Sequence, residues 1–322
     1  MIPLLAEING DKVVGHVSNH PFFVTDGGFW VWSAIMTNLI LSGLIMLLLG
    51  PWIAKHVGTG PESDGARRFT TRNPFAHMIE VICTYLREEI VRPILHERTE
   101  KFMPFLWTLF FFILINNMLG LVPLLDMNHL LIQSMKKDHI AIIGGTATQN
   151  IAVTGVLAVI AMTVVNIAGI RELGFRGYLE HNCGGIPIKA DLQTVLFLPI
   201  IAIVFVIEIL GNLAIKPIAL AVRLFANMTA GHILLATCFA ATGAFWTAGS
   251  TGGVIGLVIG TIGGFLVYML EIFVGFIQAF IFFFLTTVFI SLLAHHDEEH
   301  AHDEAHADDH GTENLPGAPV PA

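Results

Sequence analysis

The segment that decides the fold is residues 216–232, KPIALAVRLFANMTAGH, which lies inside the nearly unbroken apolar stretch 193–294. Its central residue is Arg223, whose guanidinium stays charged at any ordinary pH. A charged side chain in the middle of a membrane helix costs about 3 kcal/mol on insertion scales and is therefore rare. Arg223 predicts either a functional site inside the membrane or an ion pair within a helix bundle.

The composition of the chain is that of a membrane protein. Of 322 residues, 54% are hydrophobic and 13% are charged, and the mean hydropathy is +0.73. Soluble domains carry about 25% charged residues. The apolar runs are continuous rather than alternating in polarity, which favours helices over a β-barrel. We therefore expect an all-α polytopic membrane protein.

About five segments are apolar enough to cross the roughly 30 Å of a bilayer core. They are a first span at 29–54, a membrane hairpin at 105–170, and two much longer helices that form a tilted hairpin at 193–294. Residues 192–246 alone would measure about 80 Å as one helix. Each long helix is therefore expected to tilt steeply or to break, with Pro217 as a candidate bend.

The segment 55–104 is predicted to contain a linker and an amphipathic helix. The helix begins at Pro74, and its apolar side chains recur at steps of three and four residues. Such a helix fits either the membrane surface or a docking site on protein, and the flanking spans favour the surface. Eight of the sixteen Lys and Arg residues lie in this segment and three more in the loop 171–192.

Because short basic loops stay in the cytoplasm, both of these segments are predicted to be cytoplasmic. The N-terminal segment 1–28, which lacks the layout of a cleavable signal, and the loop 126–145 then face outward, and the C-terminus is cytoplasmic. The tail 295–322 is rich in His and acids, so it is either a metal-binding or pH-responsive tail or, more simply, a disordered end. The three cysteines have no paired spacing, and we expect no disulfide, metal or cofactor (Cys83, Cys183 and Cys238).

Polar side chains in the two long helices suggest proton transfer. At about 100° per residue, Asn227 shares a face with Arg223, whereas His232 points the opposite way. Glu271 and Gln278 share a face of the second helix. His and Glu can exchange protons near neutral pH when their surroundings shift them. Taken singly, His232 fits an ordinary core residue and Gln278 a helix-packing contact.

These residues resemble subunit a of the F-type ATP synthase. The resemblance rests on 216–232 and on LEIFVGFIQAFIF (270–282), with weaker support from LINNMLGLVP (114–123) and TQN (148–150). It extends to the layout of the whole chain. It implies a non-catalytic membrane subunit of a rotary machine.

The resemblance also assigns residues to roles. Arg223 falls on the family's essential arginine, Asn227 on the amide one turn beyond, and Gln278 on the glutamine opposite. His232 and Glu271 fall on a coupled half-channel pair, in the mitochondrial-type order rather than the order of many bacterial members. Glu208 lies about one position from the acid linked to the cytoplasmic half-channel, Asn150 is a further channel candidate, and Gly120 stands near where some bacterial members carry an acid.

The mechanism implied is proton flow through two offset half-channels that load and unload carboxylates on a ring of c subunits, with Arg223 separating them. The implied partners are the c-ring proteolipids, the peripheral-stalk b subunits, other ATP synthase subunits and the lipid bilayer, but not nucleic acid. The implied location is a bacterial inner membrane, with an organelle inner membrane as the alternative.

Three other classes fit parts of the sequence. A secondary transporter would bind an anion at Arg223, but the broken internal repeats of that class are not found. An intramembrane hydrolase would use His232 and Glu271 with a metal, but no HExxH or nucleophile motif is present. A purely structural anchor would not need Arg223.

Overall fold

The structure is a computed structural model that describes residues 21–24, 30–57, 71, 73–122, 147–183, 192–247 and 251–294. Several predicted segments lie wholly or partly outside the described residues: the outward N-terminal segment, the linker after the first span, the outward loop, part of the second basic loop, and the C-terminal tail (1–28, 58–73, 126–145, 171–192 and 295–322).

A short hairpin precedes the first membrane helix. Strands β1 (Pro21–Val24) and β2 (Trp30–Ser33) pair antiparallel. The apolar patterning did not predict them. Helix α1 (Ala34–His56) follows directly, and the Ser33 hydroxyl accepts a hydrogen bond from the Met36 amide at 3.5 Å. With this side-chain cap the first helix begins at Ala34, a few residues after residue 29, where the hydropathy predicted its start.

The amphipathic segment begins as predicted at Pro74. The Asn73 carboxamide caps helix α2 (Pro74–Tyr85) by accepting from the amides of Phe75 and Ala76. Helical structure then continues through a π turn (Leu86–Val91), α3 (Arg92–Leu95) and a 3₁₀ turn (His96–Arg98) to the membrane helix α4 (Thr99–Leu121). The later part of the segment buries apolar side chains and exposes charged ones (buried Leu86, Val91 and Leu95; exposed Arg92 and Glu97). In helix α2, by contrast, large apolar side chains of the predicted face remain exposed (Phe75, Met78 and Tyr85).

Helix α5 (Ile151–Asn182) runs past the predicted end of its span. A 3₁₀ turn (Ala147–Gln149) precedes it. The helix is kinked at Gly174, which has φ 69° and ψ 166°. Glycine adopts this conformation without the steric penalty that a side chain would add, so the chain changes direction there and continues as helix into the predicted loop.

The two long helices are present. The first run consists of α6 (Leu192–Leu210), a π turn (Gly211–Ile215) and α7 (Lys216–Thr247), and the second is α8 (Thr251–Ala294). The π turn Gly211–Ile215 ends two residues before Pro217. Proline lacks an amide hydrogen and its ring disfavours a regular preceding α-turn, so a wider turn at this place has a local cause.

Among the described residues, five helical stretches are long and apolar enough to cross a membrane, which confirms the all-α polytopic fold (Ile35–His56, Pro74–Leu121, Ile151–Leu179, Pro199–Cys238 and Gly256–Leu292). The chain divides into two compact units. The first comprises residues 1–159 and 218–284, and Phe110 of α4 lies fully buried in its core. The second comprises 160–217 and 285–322, with Val165 and Ile290 among its buried residues.

Candidate functional site

The side chains of His232 of α7 and Glu271 of α8 lie in contact in the first unit, and they form an ion pair when the imidazole is protonated. The Nδ1 atom of His232 lies 2.6 Å from Oε1 of Glu271, and the two side chains are 16% and 3% exposed. Nδ1 also lies 3.0 Å from the Met228 carbonyl oxygen, and Nε2 lies 3.2 Å from the Gly120 carbonyl oxygen. All three neighbours are acceptors, so both ring nitrogens donate only in the imidazolium form. A buried carboxylate needs such a cationic partner to remain ionised.

The close approach of Glu271 to α7 depends on Gly231. A Cβ atom added there would lie 2.9 Å from Oε1 and 3.1 Å from Cδ of Glu271. Because interiors are packed without slack, a side chain at this position would displace the carboxylate. The residue before the histidine is therefore part of the same site, although the sequence motif alone gave it no role.

Helix α4 also contributes a buried amide, which contacts α8 one turn after Glu271. Asn117 is fully buried; its Nδ2 donates to the Gly275 carbonyl oxygen at 2.9 Å, and its Oδ1 accepts from the Thr148 hydroxyl at 2.8 Å. Asn117 therefore joins α4, α8 and the 3₁₀ turn before α5. Sequence reasoning noted the surrounding LINN and TQN segments but did not single out Asn117 or Thr148. Two adjacent amides in an otherwise apolar span were the available signal.

Two neighbouring residues of the TQN patch behave differently from each other. Gln149 is 9% exposed, and its Nε2 atom has no hydrogen-bond partner among the described residues. Asn150, the residue predicted for the channel, instead caps α5: its Oδ1 accepts from the Ala152 amide at 2.9 Å. Its described side-chain contact is thus that of an ordinary helix cap.

Three further residues predicted for the site are Arg223 and Asn227 on α7 and Gln278 on α8. Arg223 is exposed, and Asn227 and Gln278 are half-buried. In the part of the chain that the structure describes, none of the three side chains makes a hydrogen bond or an ion pair. Apolar side chains of the same unit are exposed on the same two helices (Ile218, Val222, Leu266, Leu270 and Phe273). A permanent cation therefore lies on a helix surface whose other side chains suit lipid.

Glu208 lies in the second unit, at a separate polar cluster. It lines a cavity of about 160 Å³ together with Asn166, Asn212 and Lys216. Asn212 Nδ2 donates to Asn182 Oδ1 at 3.0 Å and lies 3.4 Å from Glu208 Oε1. Lys216 Nζ donates to Asn212 Oδ1. Sequence reasoning noted Lys216 as titratable and missed Asn212, although both follow Glu208 at four-residue steps.

These two polar clusters and the five apolar helices define a polytopic helical membrane protein with ionisable side chains inside its membrane-class segments. A model of the family described as ATP synthase A chain matches residues 29–291. The chain belongs to that family. The resemblance seen in the sequence is thereby confirmed at the level of the family.

Bacterial relatives are similar over most of this chain. It is 35% identical over 226 residues to "ATP synthase subunit a" of Anaeromyxobacter dehalogenans (strain 2CP-1 / ATCC BAA-258), a match that covers 70% of this chain and 50% of the relative. It is 31% identical over 306 residues to the protein of the same description from Chlorobium phaeobacteroides, covering 91% and 77%. The chain spans about half the length of the first of these relatives. Bacterial relatives and apolar helices together support a multi-pass protein of a bacterial plasma membrane.

Proposed function

We propose that the chain is the proton-translocating, non-catalytic stator subunit of a rotary F-type ATP synthase. The observation that carries the proposal is Arg223. Its guanidinium cannot lose its proton, lies exposed on a membrane-class helix, and has no partner among the described residues. Such a charge is tolerated in a membrane when an anion or a hydrated path lies beside it. A carboxylate on a neighbouring membrane chain supplies that anion.

The outer half-channel runs past His232 and Glu271. The pair offers a carboxylate and an imidazole 2.6 Å apart, which is hydrogen-bonding distance for handing on a proton. Asn117, Thr148 and the unpartnered donor of Gln149 give this region a polar wall. Asn150 caps the helix that follows them and contributes to the same wall. Protons entering here protonate a carboxylate of the c-ring.

Protonation allows that carboxyl group to move through lipid, because a neutral acid escapes the desolvation cost that an ion meets. When the acid returns to the stator, Arg223 favours its ionised form and so drives release of the proton. The proton leaves through a second half-channel near Glu208. Because Arg223 separates the two half-channels by its charge, protons cross only when the ring turns. Asn227 and Gln278 line the region around Arg223.

The partners in this proposal are the c-ring proteolipids, the peripheral-stalk b subunits and the remaining ATP synthase subunits. The N-terminus faces outward and the C-terminus faces the cytoplasm of a bacterial cell, with an organelle inner membrane as the alternative. The order of His232 and Glu271 is of the mitochondrial type. Either order keeps one acid facing one imidazole, so the pair works as a unit.

The test is ATP-driven proton pumping in membrane vesicles that carry Arg223→Lys. Lysine keeps a positive charge but can lose its proton when it is buried, and it lacks the planar fork. We expect pumping to be lost while the complex still assembles and still contains the proteolipid ring. Arg171→Lys, a matched exchange outside the site, should pump normally.

Normal pumping by Arg223→Lys would overturn the proposal. Purification of the chain together with a ring of small proteolipids supports it. Uptake of an anionic substrate by the isolated chain would favour a transporter instead.

A further inference from the structure

Glu208, Asn212 and Lys216 form a hydrogen-bonded ladder in the second unit. Lysine has donors only, so the atom of Asn212 that it contacts must be the carboxamide oxygen. The Nδ2 atom of Asn212 then faces Asn182 Oδ1 at 3.0 Å and Glu208 Oε1 at 3.4 Å. The cation thus fixes which end of the amide the carboxylate meets.

The π turn brings the three side chains together. In a regular α-helix, residues 208 and 216 would lie about 80° apart around the axis. The π turn Gly211–Ile215 lies between them and takes more residues for each turn, which reduces that angle. Such turns inside α-helices frequently occur at functional sites.

The cavity around the ladder contains few other charges. Its remaining lining residues come from α5 and α8 and are neutral (Met162, Val165, Asn166, Phe289 and Leu292). The Tyr178 hydroxyl donates to Asn166 Oδ1 at 2.8 Å. Lys216 Nζ lies 5.1 Å from the centre of the Phe289 ring, a cation–π contact that holds the ammonium in place. Among the described lining residues, Lys216 is therefore the only cation that faces Glu208.

The location of the ladder fits the exit side of the membrane. Asn166 lies near the end of the span predicted at 146–170. The basic loop after that span predicts that this end faces the cytoplasm. Asn182 belongs to the last turn of α5, beyond that span. Asn212 contacts Asn182 although it lies far along the run that begins at Leu192.

We propose that Lys216 acts through Asn212 to hold Glu208 as a carboxylate ready to receive the departing proton. Lys216 and Asn212 are positioning residues for proton release, and the idea rests on the function proposed above. Without the lysine, Asn212 Oδ1 loses its donor, and only the contact with Asn182 Oδ1 still holds the amide with its Nδ2 toward Glu208. The carboxylate also loses the cation that faces it among the described lining residues, so the protonated form of Glu208 is favoured and an ionised acceptor is available only at a higher pH.

The experiment uses the complete complex in proteoliposomes and follows ATP synthesis driven by an imposed proton gradient while the pH on the cytoplasmic side is varied. Lys216→Met should move the acid side of this pH profile upward by about one unit, the lower end of the effect of an opposite charge. Lys216→Arg, which keeps charge and donors, should retain the original profile. Asn212→Leu should reproduce the shift with the lysine still present.

A double-mutant comparison separates positioning from a structural role. In a Glu208→Gln background, Lys216→Met should cause no further change, because it acts through Glu208. An unchanged pH profile for both Lys216→Met and Asn212→Leu overturns the inference. So do losses that add in the double variant, or a Glu208→Gln variant that works normally.

The Arg223→Lys complex is measured in the same series. If it pumps normally, the proposed function itself fails. If it is inactive while the Lys216→Met profile is unchanged, only the ladder's role fails.

Discussion

The imidazole of His232 bridges Glu271 and the end of α4: Nδ1 lies 2.6 Å from Glu271 Oε1, and Nε2 lies 3.2 Å from the Gly120 carbonyl oxygen. The resemblance predicts that Gly120 stands near a position where some bacterial members carry an acid. In this chain the carbonyl oxygen of Gly120 is the acceptor. The contact therefore connects three membrane helices through one ring that can gain or lose a proton.

The first prediction concerns the order of the pair. If the carboxylate and the imidazole act as a unit, the double exchange His232→Glu with Glu271→His keeps one of each. We expect it to restore more ATP-driven pumping than either single exchange, each of which leaves two like groups together. Equal loss in all three variants would show that the positions are not coupled.

The second prediction concerns Gly231. Alanine there would place a Cβ atom 2.9 Å from Glu271 Oε1, so the carboxylate must move away from His232. We expect pumping to fall severalfold with the complex still assembled, since only one methyl group is added. Gly263→Ala is the matched control, because a Cβ atom there meets nothing within 4 Å. Similar losses in the two variants would show that the effect does not come from the contact with Glu271, and would contradict the prediction.

The third prediction concerns Asn117. Leucine at this position removes two hydrogen bonds and leaves the buried Thr148 hydroxyl without its acceptor, which costs about 1–3 kcal/mol. Asn116→Leu is the control: it also removes two hydrogen bonds, to Ser42 and to Phe112. We expect Asn117→Leu to lower the pumping rate per assembled complex more strongly. Equal rates would indicate that Asn117 serves packing alone.

Hydropathy and helical periodicity predicted the membrane class, the number of spans and the amphipathic segment that begins at Pro74. These features depend on local composition and on a spacing of three to four residues, so they can be read without knowing the tertiary structure. The wide turn before Pro217 was predicted only as a bend at the proline. The positive φ of Gly174 and the strand pairing of Pro21–Val24 depend on local backbone geometry that apolar patterning does not encode.

The contacts of the sites were harder to predict than their residues. The periodicity of the helix that carries them predicts that Arg223 and His232 point in opposite directions. It does not reveal that Asn117, from a distant part of the chain, donates to the Gly275 carbonyl oxygen. Likewise, the four-residue spacing of Asn212 and Lys216 was visible, yet their link to Asn182 depends on how α5 packs. Such contacts follow from the packing of helices far apart in sequence.

The central claim is that Arg223 faces a carboxylate on a moving neighbour inside the membrane. The most direct measurement is an electron cryo-microscopy structure of the assembled complex, in which the distance from the Arg223 guanidinium to the nearest proteolipid carboxylate is read. We predict that one carboxylate lies within about 6 Å, the range over which an opposite charge favours the ionised form. A guanidinium that points to plain lipid or bulk water, with no proteolipid beside it, would contradict the account.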